Sequence, residues 1–448
     1  MNYFSKLKEI EVESCEKLSN IFPMNMMERL ENLEKVQIVN CDSLEEIFVP
    51  QALTGNQPHG VATTESILEE TMAKFVFPSA TYLRLKNLPS LKSFYTRAHA
   101  TEWPSLRKMK VVDCQNVQIF ASECPGFGET QKGSQVEISN QPPLFRVNEV
   151  TFPILEELIL KPNDTWHGQV LSTECFRKLK VLELIYISEK STSLACCFIQ
   201  SLPNLEKLLV KDSSFCQIFQ FEGLSDDQRN AALTHLTELR LSKLPELTHL
   251  WKEEFQPGVI TFSNLKLLEV LDCGKLKTLV PSLVSFNNLT ILKVSGCHGF
   301  TNLITYSIGR SLMQIRRMSI TDCKMIEEIV ACDADEIQGA IVFSQLRYLK
   351  LSCLPNLESF SLRNHGFEFP NLQKVIVHEC PKLEIFCQGD LTTPKLQQVL
   401  LAEDEDEDDE EKRRWEGDLK TTIRKLFEEM NVHNSEVIEV TLELPTLQ

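Results

Sequence analysis

The feature that most constrains this chain is a recurring string that returns about thirteen times, mostly at intervals of 24 to 31 residues. It reads aromatic or Leu, then Leu three residues on, then two apolar residues separated by one, then Cys or Leu, Leu, and Ile or Phe at steps of three. Three copies show it with little distortion: FSKLKEIEVESCEKLSNIF from Phe4, LENLEKVQIVNCDSLEEIF from Leu30 and FPNLQKVIVHECPKLEIF from Phe369. Further copies begin near Phe77, Trp103, Phe152, Phe176, Leu202, Leu233, Phe262, Phe286, Leu312 and Phe343, with a degenerate last one around Pro394. Those at Phe152 and Phe176 are the least regular. In each copy a pair such as Ile10 and Val12 alternates with Glu9, Glu11 and Glu13, the period-two signature of a short strand with one buried face. The later apolar positions turn the chain away and wedge beneath that strand. One such unit cannot cover its own apolar side, so it must stack on copies of itself.

Period and pattern together are those of leucine-rich repeats. The expected fold class is α/β: a curved leucine-rich-repeat solenoid with a parallel β-sheet on its concave face and a short C-terminal helical cap. Residues 1–402 read as one elongated domain of about 13 to 14 repeats, because a solenoid overrides the length prior that would divide 448 residues into several globules. Two insertions break the spacing, Pro50 to Lys74 and Ala121 to Val150, and should loop out from the convex or edge side. The block 403–411, EDEDEDDEE, carries nine of the 17 net negative charges and reads as a solvated linker. In 412–448, Asp418 is a candidate N-cap for a helix with Leu419, Ile423, Leu426 and Phe427 at helical spacing; the helix should cap the last repeat. Phe4 opens a full repeat with no cap before it, as expected of a piece of a longer protein or of a coil that something else covers.

With 42% hydrophobic and 24% charged residues the chain has the composition of a folded protein. It has no run of eighteen apolar residues and no apolar stretch after its first Lys of the kind a secretory signal needs, which points to a cytoplasmic location. Asn163-Asp-Thr and Asn288-Leu-Thr are read as accidental sequons. Cys15, Cys41, Cys114, Cys273, Cys297, Cys323 and Cys380 share one repeat position with Leu88, Leu244 and Leu354. A site that accepts Leu needs burial rather than chemistry, so these thiols should be free. No C-x-x-C occurs, Cys196-Cys197 has no histidine at zinc spacing, and His235, His249, His298 and His378 fall in different repeats; no metal is expected. The segment GFGETQKGS lacks the Gly-Lys-Ser/Thr ending that a phosphate-binding loop requires. No hydrolase, metalloprotease or dinucleotide motif is present, so neither a cofactor nor an active site is expected.

The positions flanking the strand anchors should face the concave side. There the sequence places Lys35, Tyr82, Arg84, Lys86, Lys108, Lys110, Lys207, Lys211, Arg240, Arg317, Tyr348 and Lys350, together with Lys161, Lys293 and Lys374, against fewer acids such as Glu157, Glu183, Glu238 and Glu269. Arg84, Lys86, Lys108 and Lys110 fall side by side, a patch that would attract an acidic protein surface. Ile159, Val181, Ile185, Leu209, Leu267 and Leu271 should present apolar groups on the same side, unless the register slips by one and makes them core. Net acidity and few concave aromatics argue against nucleic acid.

Repeats of the form F-P-x-L-x-x-L-x-[LV]-x-x-[CL]-P-x-L, as at Phe77, Leu202, Phe343 and Phe369, followed by W-E-G-D-L-x-T-T-I-x-K-L-F from Trp415, resemble the C-terminal repeat region of plant coiled-coil nucleotide-binding leucine-rich-repeat disease-resistance proteins. The resemblance spans nearly the whole chain. It implies a non-catalytic recognition module that senses a pathogen effector or a modified host protein and restrains a nucleotide-binding module in cis or in trans. This sequence has no coiled coil, P-loop or switch motif, so ATP binding and signalling do not carry over to it. A substrate-recognition adaptor of a ubiquitin ligase, or a structural scaffold, is the alternative.

Overall fold

The computed structural model describes residues 6–50, 73–97, 99–122, 143–161, 173–189, 192–220, 234–250, 260–280, 284–332, 339–402 and 412–442. The interior of the first insertion, the GFGETQKGS segment of the second, the Asn163 sequon and the acidic block lie outside them. The chain divides into two compact units, Met1–Leu205 and Glu206–Gln448, and each is a parallel β-solenoid.

In the first unit the main ladder is built from β1 (Glu9–Glu13), β2 (Lys35–Val39), β3 (Tyr82–Lys86), β4 (Lys108–Val112), β5 (Glu157–Leu160) and β6 (Val181–Ile185), each parallel to the next. A helix, α1 (Thr192–Gln200), follows in the irregular coil that begins at Phe176. In the second unit the ladder runs β7 (Lys207–Lys211), β8 (Glu238–Ser242), β9 (Leu267–Leu271), β10 (Ile291–Ser295), β11 (Arg317–Thr321), β12 (Tyr348–Ser352), β13 (Lys374–His378) and β14 (Val399–Leu400). A short helix, α2 (Tyr306–Ser311), is capped by the Thr305 hydroxyl, which accepts from the Ile308 amide. Shorter parallel ladders form farther round the coils, among them Asn302–Thr305, Glu328–Ala331, Ser359–Ser361 and Ile385–Cys387. The second insertion is anchored in the same way, Phe120–Ser122 pairing in parallel with Phe145–Val147.

The expected register holds. In β3, Leu83 and Leu85 are fully buried between half-exposed Tyr82, Arg84 and Lys86. Cys41, Leu44 and Ile47 lie buried beneath the following turn. Equivalent side chains stack on one another from coil to coil: Phe77 on Trp103 with ring centroids 4.1 Å apart, Phe262 on Phe286 at 5.6 Å, Phe343 on Phe369 at 5.2 Å and Phe360 on Phe386 at 4.9 Å. At β1, which has a ladder neighbour on one side only, Ile10 and Val12 stay half-buried, whereas Val36 and Ile38 in β2 are buried.

Two devices not singled out in the sequence recur from coil to coil. The residue after each five-residue ladder strand is left-handed: eleven non-glycine residues, Ser14, Asn40, Asn87, Asp113, Tyr186, Asp212, Lys243, Asp272, Asp322, Cys353 and Glu379, have φ between 48° and 58°, and Gly296 takes the same place at 64°. Asn and Asp tolerate that conformation, whereas other side chains pay roughly 1–2 kcal/mol for it. The second device is a ladder of side-chain amides that satisfies backbone carbonyls of the preceding coil. Asn204 donates to Arg177, Asn264 to Thr234, Asn288 to Ser263, Asn356 to Lys324 and Asn371 to Ser344, at 2.6–2.8 Å. The Asn288 amide is therefore engaged in the fold.

At the far end of the second unit, β15 (Arg413–Arg414) closes the ladder antiparallel to β14, which covers an edge that would otherwise be open for pairing. The helix α3 (Leu419–Leu442) packs on the terminal strand Ile385–Cys387 and buries Leu419, Thr422 and Ile423. Asp418 caps it, its carboxylate accepting from the Thr421 amide at 2.9 Å and the Thr421 hydroxyl at 2.7 Å. These two bonds hold the Asp418 carboxyl below its ordinary value.

Two outcomes test this architecture. Leu372, fully buried, should lose about 2–5 kcal/mol on change to alanine, while Lys374 two residues on, exposed on the other face, should lose less than about 0.5 kcal/mol; chemical denaturation of both variants reads the difference. Asp418→Ala should cost about 0.5–2 kcal/mol. Because the folded carboxyl is the more acidic, the cap's contribution is complete above the unfolded carboxylate range and fades as pH falls through the folded value, so wild type and variant should converge in acid melts.

Candidate protein-binding face

The pairing registers put the predicted face residues in columns. In the first unit the first column reads Glu9, Lys35, Tyr82, Lys108, Glu157, Val181, and the middle column Glu11, Gln37, Arg84, Lys110, Ile159, Glu183. Lys86 stands beside Val39 and Val112 in the third. In the second unit the first column is Lys207, Glu238, Leu267, Ile291, Arg317, Tyr348, Lys374, and the middle one Leu209, Arg240, Glu269, Lys293, Ser319, Lys350, Ile376. Lys211 stands opposite Ser242 in the third. The candidates thus form two groups, six residues in each unit.

Column neighbours neutralise much of the basic character that the sequence suggested. Lys35 pairs with Glu9 at 3.6 Å, Lys108 with Glu157 at 2.7 Å and Lys207 with Glu238 at 2.7 Å. Arg240 reaches Glu238 at 3.5 Å and Glu269 at 3.2 Å, and Glu269 also takes Lys293 at 3.4 Å. The Arg317 guanidinium lies 4.3 Å from the centroid of the Tyr348 ring. This pairing escaped the sequence reading, although aligning the repeats at their strand positions places each acid beside its base.

Arg84, Lys86 and Lys110 are different. None forms an ion pair with an acid among the described residues, Arg84 stands directly opposite Lys110, and the Arg84 Nε is buried without a hydrogen-bond partner there. Burial and then the Arg84 guanidinium push the Lys110 ammonium below its ordinary value; Lys86 and Lys108 add to the push and Glu183 opposes it. Ile159, Val181 and Ile185 continue the same face on β5 and β6, with Ile159 buried and the other two half-exposed. In the second unit Leu209, Leu267 and Leu271 are half-exposed on the equivalent side. Ile159 is thus part of the core, whereas the other five keep partial exposure on the open face, as an unslipped register requires.

The fourteen described cysteines are present as thiols. At the shared repeat position each thiol donates to the carbonyl two residues back: Cys41 to Val39 at 3.4 Å, Cys273 to Leu271 at 3.4 Å, Cys323 to Thr321 at 3.3 Å and Cys380 to His378 at 3.4 Å. Burial pushes Cys114, Cys323 and Cys380 up to about 12. The position is structural.

Comparison with known proteins agrees with this geometry. The family model described as plant disease resistance protein RPS2-like, leucine-rich repeats, matches residues 1–124, 154–285 and 282–388. Two Arabidopsis thaliana proteins named for disease resistance are similar to the chain. At4g19050 is 21% identical over 390 residues, covering 85% of this chain and 26% of its own length; At4g27220 is 27% identical over 114 residues, covering 25% and 11%. The chain therefore spans about a quarter of the first relative and about a tenth of the second. A solved structure of the plant peptide hormone receptor RGFR1 in complex with RGF2 aligns over 86% of this chain and 79% of that one at 10% identity, with a TM-score of 0.19, a level at which it carries no argument.

A thiol-specific reagent at neutral pH should modify exposed Cys15, Cys197 and Cys216 well before buried Cys114, Cys323 and Cys380, since the thiolate is the reactive form. Peptide mass mapping against time reads the order, and equal rates would show that Cys114, Cys323 and Cys380 are not packed.

Proposed function

Since the chain belongs to the plant disease resistance protein RPS2-like leucine-rich-repeat family, we propose that it is a non-catalytic protein-recognition module of a cytoplasmic plant immune receptor, and that it engages its partner through the face around Arg84, Lys86 and Lys110. The partner is a protein with an acidic surface: a pathogen effector, a modified host protein, or a nucleotide-binding module in cis or in trans. The observation that carries this reading is the cluster of three like charges, which ion pairing relieves elsewhere on the two ladders and leaves unrelieved here. Bringing Lys110 and Arg84 together raises the energy of the unbound state, and an incoming carboxylate removes that repulsion as it docks. The neighbouring half-exposed Val181 and Ile185 give the same docked surface an apolar element that can be withdrawn from water. Strands about 4.8 Å apart make a face with room for a protein segment.

The reading is tested by capture of a separately produced nucleotide-binding module or of a non-self protein. Charge reversal at Arg84, Lys86 and Lys110 together should weaken capture at least about tenfold and flatten its dependence on salt. Reversal at Lys108, already paired with Glu157, should do less. Lys110→Gln should weaken capture while raising the melting temperature, because it removes the repulsion from the free protein. Unchanged capture by the triple variant would reject the patch.

A further inference from the structure

Among the described residues, Cys353, His378 and Glu379 bring their ligand atoms within 4.8 Å of one another. The strands β12 and β13 pair so that Ser352 and His378 stand opposite each other at their ends. Cys353 and Glu379 follow as the left-handed turn residues of adjacent coils, at φ 54° and 50°. The Cys353 thiol lies 3.2 Å from Glu379 Oε2 and 3.6 Å from Ser352 Oγ, which in turn lies 3.4 Å from His378 Nδ1. One coil of chain separates the donors in sequence and stacking brings them together, so no spacing motif announces them.

Packing does not account for this cysteine. The buried repeat position is the next residue, filled in this coil by Leu354, and Cys353 sits one place earlier, half-exposed. At the left-handed position the other coils use Ser, Asn, Asp, Tyr, Lys, Glu or Gly, so a thiol there gains little from burial and bears the conformational cost. Its side chain points instead at a carboxylate beside an imidazole.

We propose that Cys353, His378 and Glu379 form a zinc site with thiolate, imidazole and carboxylate as three ligands and the fourth position open to water or to a side chain of a bound partner. Zinc bonds of about 2.0–2.3 Å in a tetrahedron put ligand atoms about 3.5 Å apart. The Cys353–Glu379 separation already meets that spacing, and a change of about 1 Å in these solvent-accessible side chains brings in the rest. A soft thiolate with an imidazole selects against Mg2+ and Ca2+, which take oxygen ligands. On binding, a zinc–sulfur bond forms and the thiol proton that Glu379 accepts is released to solvent.

The full chain should be titrated with Zn2+ against a chromophoric chelator and with Co2+ as a spectroscopic substitute. The expected result is one equivalent bound with a thiolate-to-cobalt charge-transfer band, a rise in melting temperature with Zn2+, and loss of the band with at least about tenfold weaker binding in Cys353→Ser, His378→Gln and Glu379→Gln. Cys216→Ser, at an exposed cysteine elsewhere, should behave as wild type. Cys353→Ser keeps the fold, since Ser14 occupies the same turn conformation, and its metal-free melting curve checks this. Absence of zinc binding by the wild type at micromolar metal, or an unchanged band and affinity in Cys353→Ser, overturns the site. Neither result bears on the recognition face of the first unit.

Discussion

A coil of this chain carries two strand anchors and several further apolar side chains that only the same positions of the next coil can take out of water. That requirement makes stacking register the variable on which the rest depends. Within each unit it sets Phe on Phe or Trp, donates Asn amides to the carbonyls of the coil before, and repeats one left-handed residue after every described five-residue strand. The strain at Tyr186, Lys243 and Glu379 persists because the coil must leave the strand at that point, whichever residue stands there. An out-of-register coil would lose the buried pair, the amide ladder and the thiol–carbonyl bonds together.

The same stacking makes the electrostatics of the open face nearly one-dimensional. A side chain at a given strand position has two close neighbours of known identity, one in each adjacent coil, so the order of residues along a column decides between attraction and repulsion. Glu269 between Arg240 and Lys293 is the favourable case: one carboxylate, largely withdrawn from solvent, serves two cations. Arg84 beside Lys110 is the unfavourable one, with Gln37 and Ile159 as their outer neighbours. Both outer neighbours are buried, and Gln37 donates to the Glu11 carboxylate at 3.1 Å, so neither supplies an acid to the pair. Under the proposed function, a carboxylate of the docked partner supplies the relief that the column lacks.

The fold was legible because its determinants repeat. The strand anchors, the buried Cys or Leu, the Asp418 cap and the heptad-like spacing of Leu419, Ile423 and Leu426 follow from local pattern, and the structure places each where that pattern requires. The candidate face was legible by position but not by charge: counting lysines gave a broadly basic surface, whereas Glu9, Glu157, Glu238 and Glu269 cancel much of it through contacts that exist only between coils. The left-handed turn went unread: Asn40, Asn87, Asp113, Asp212, Asp272 and Asp322 mark it, but Tyr186, Lys243, Cys353 and Glu379 break the pattern, because backbone demand there overrides residue preference.

Position within the coil, rather than residue type, therefore assigns roles in this chain, and the cysteines show it most directly. Two places after a strand that has ladder neighbours on both sides, a thiol is buried, bonded to a backbone carbonyl and interchangeable with Leu, as at Cys273, Cys323 and Cys380 against Leu244 and Leu354; Cys15, after the end strand β1, is exposed. One place after a strand, the thiol of Cys353 meets the carboxylate of Glu379 from the adjacent coil, with the His378 imidazole beside it. A one-residue displacement exchanges an apolar environment for a polar one, and with it the chemistry open to sulfur. In a repeat protein, new sites arise where a residue departs from its coil position, because the stacking that buries the regular residues also gathers the irregular ones.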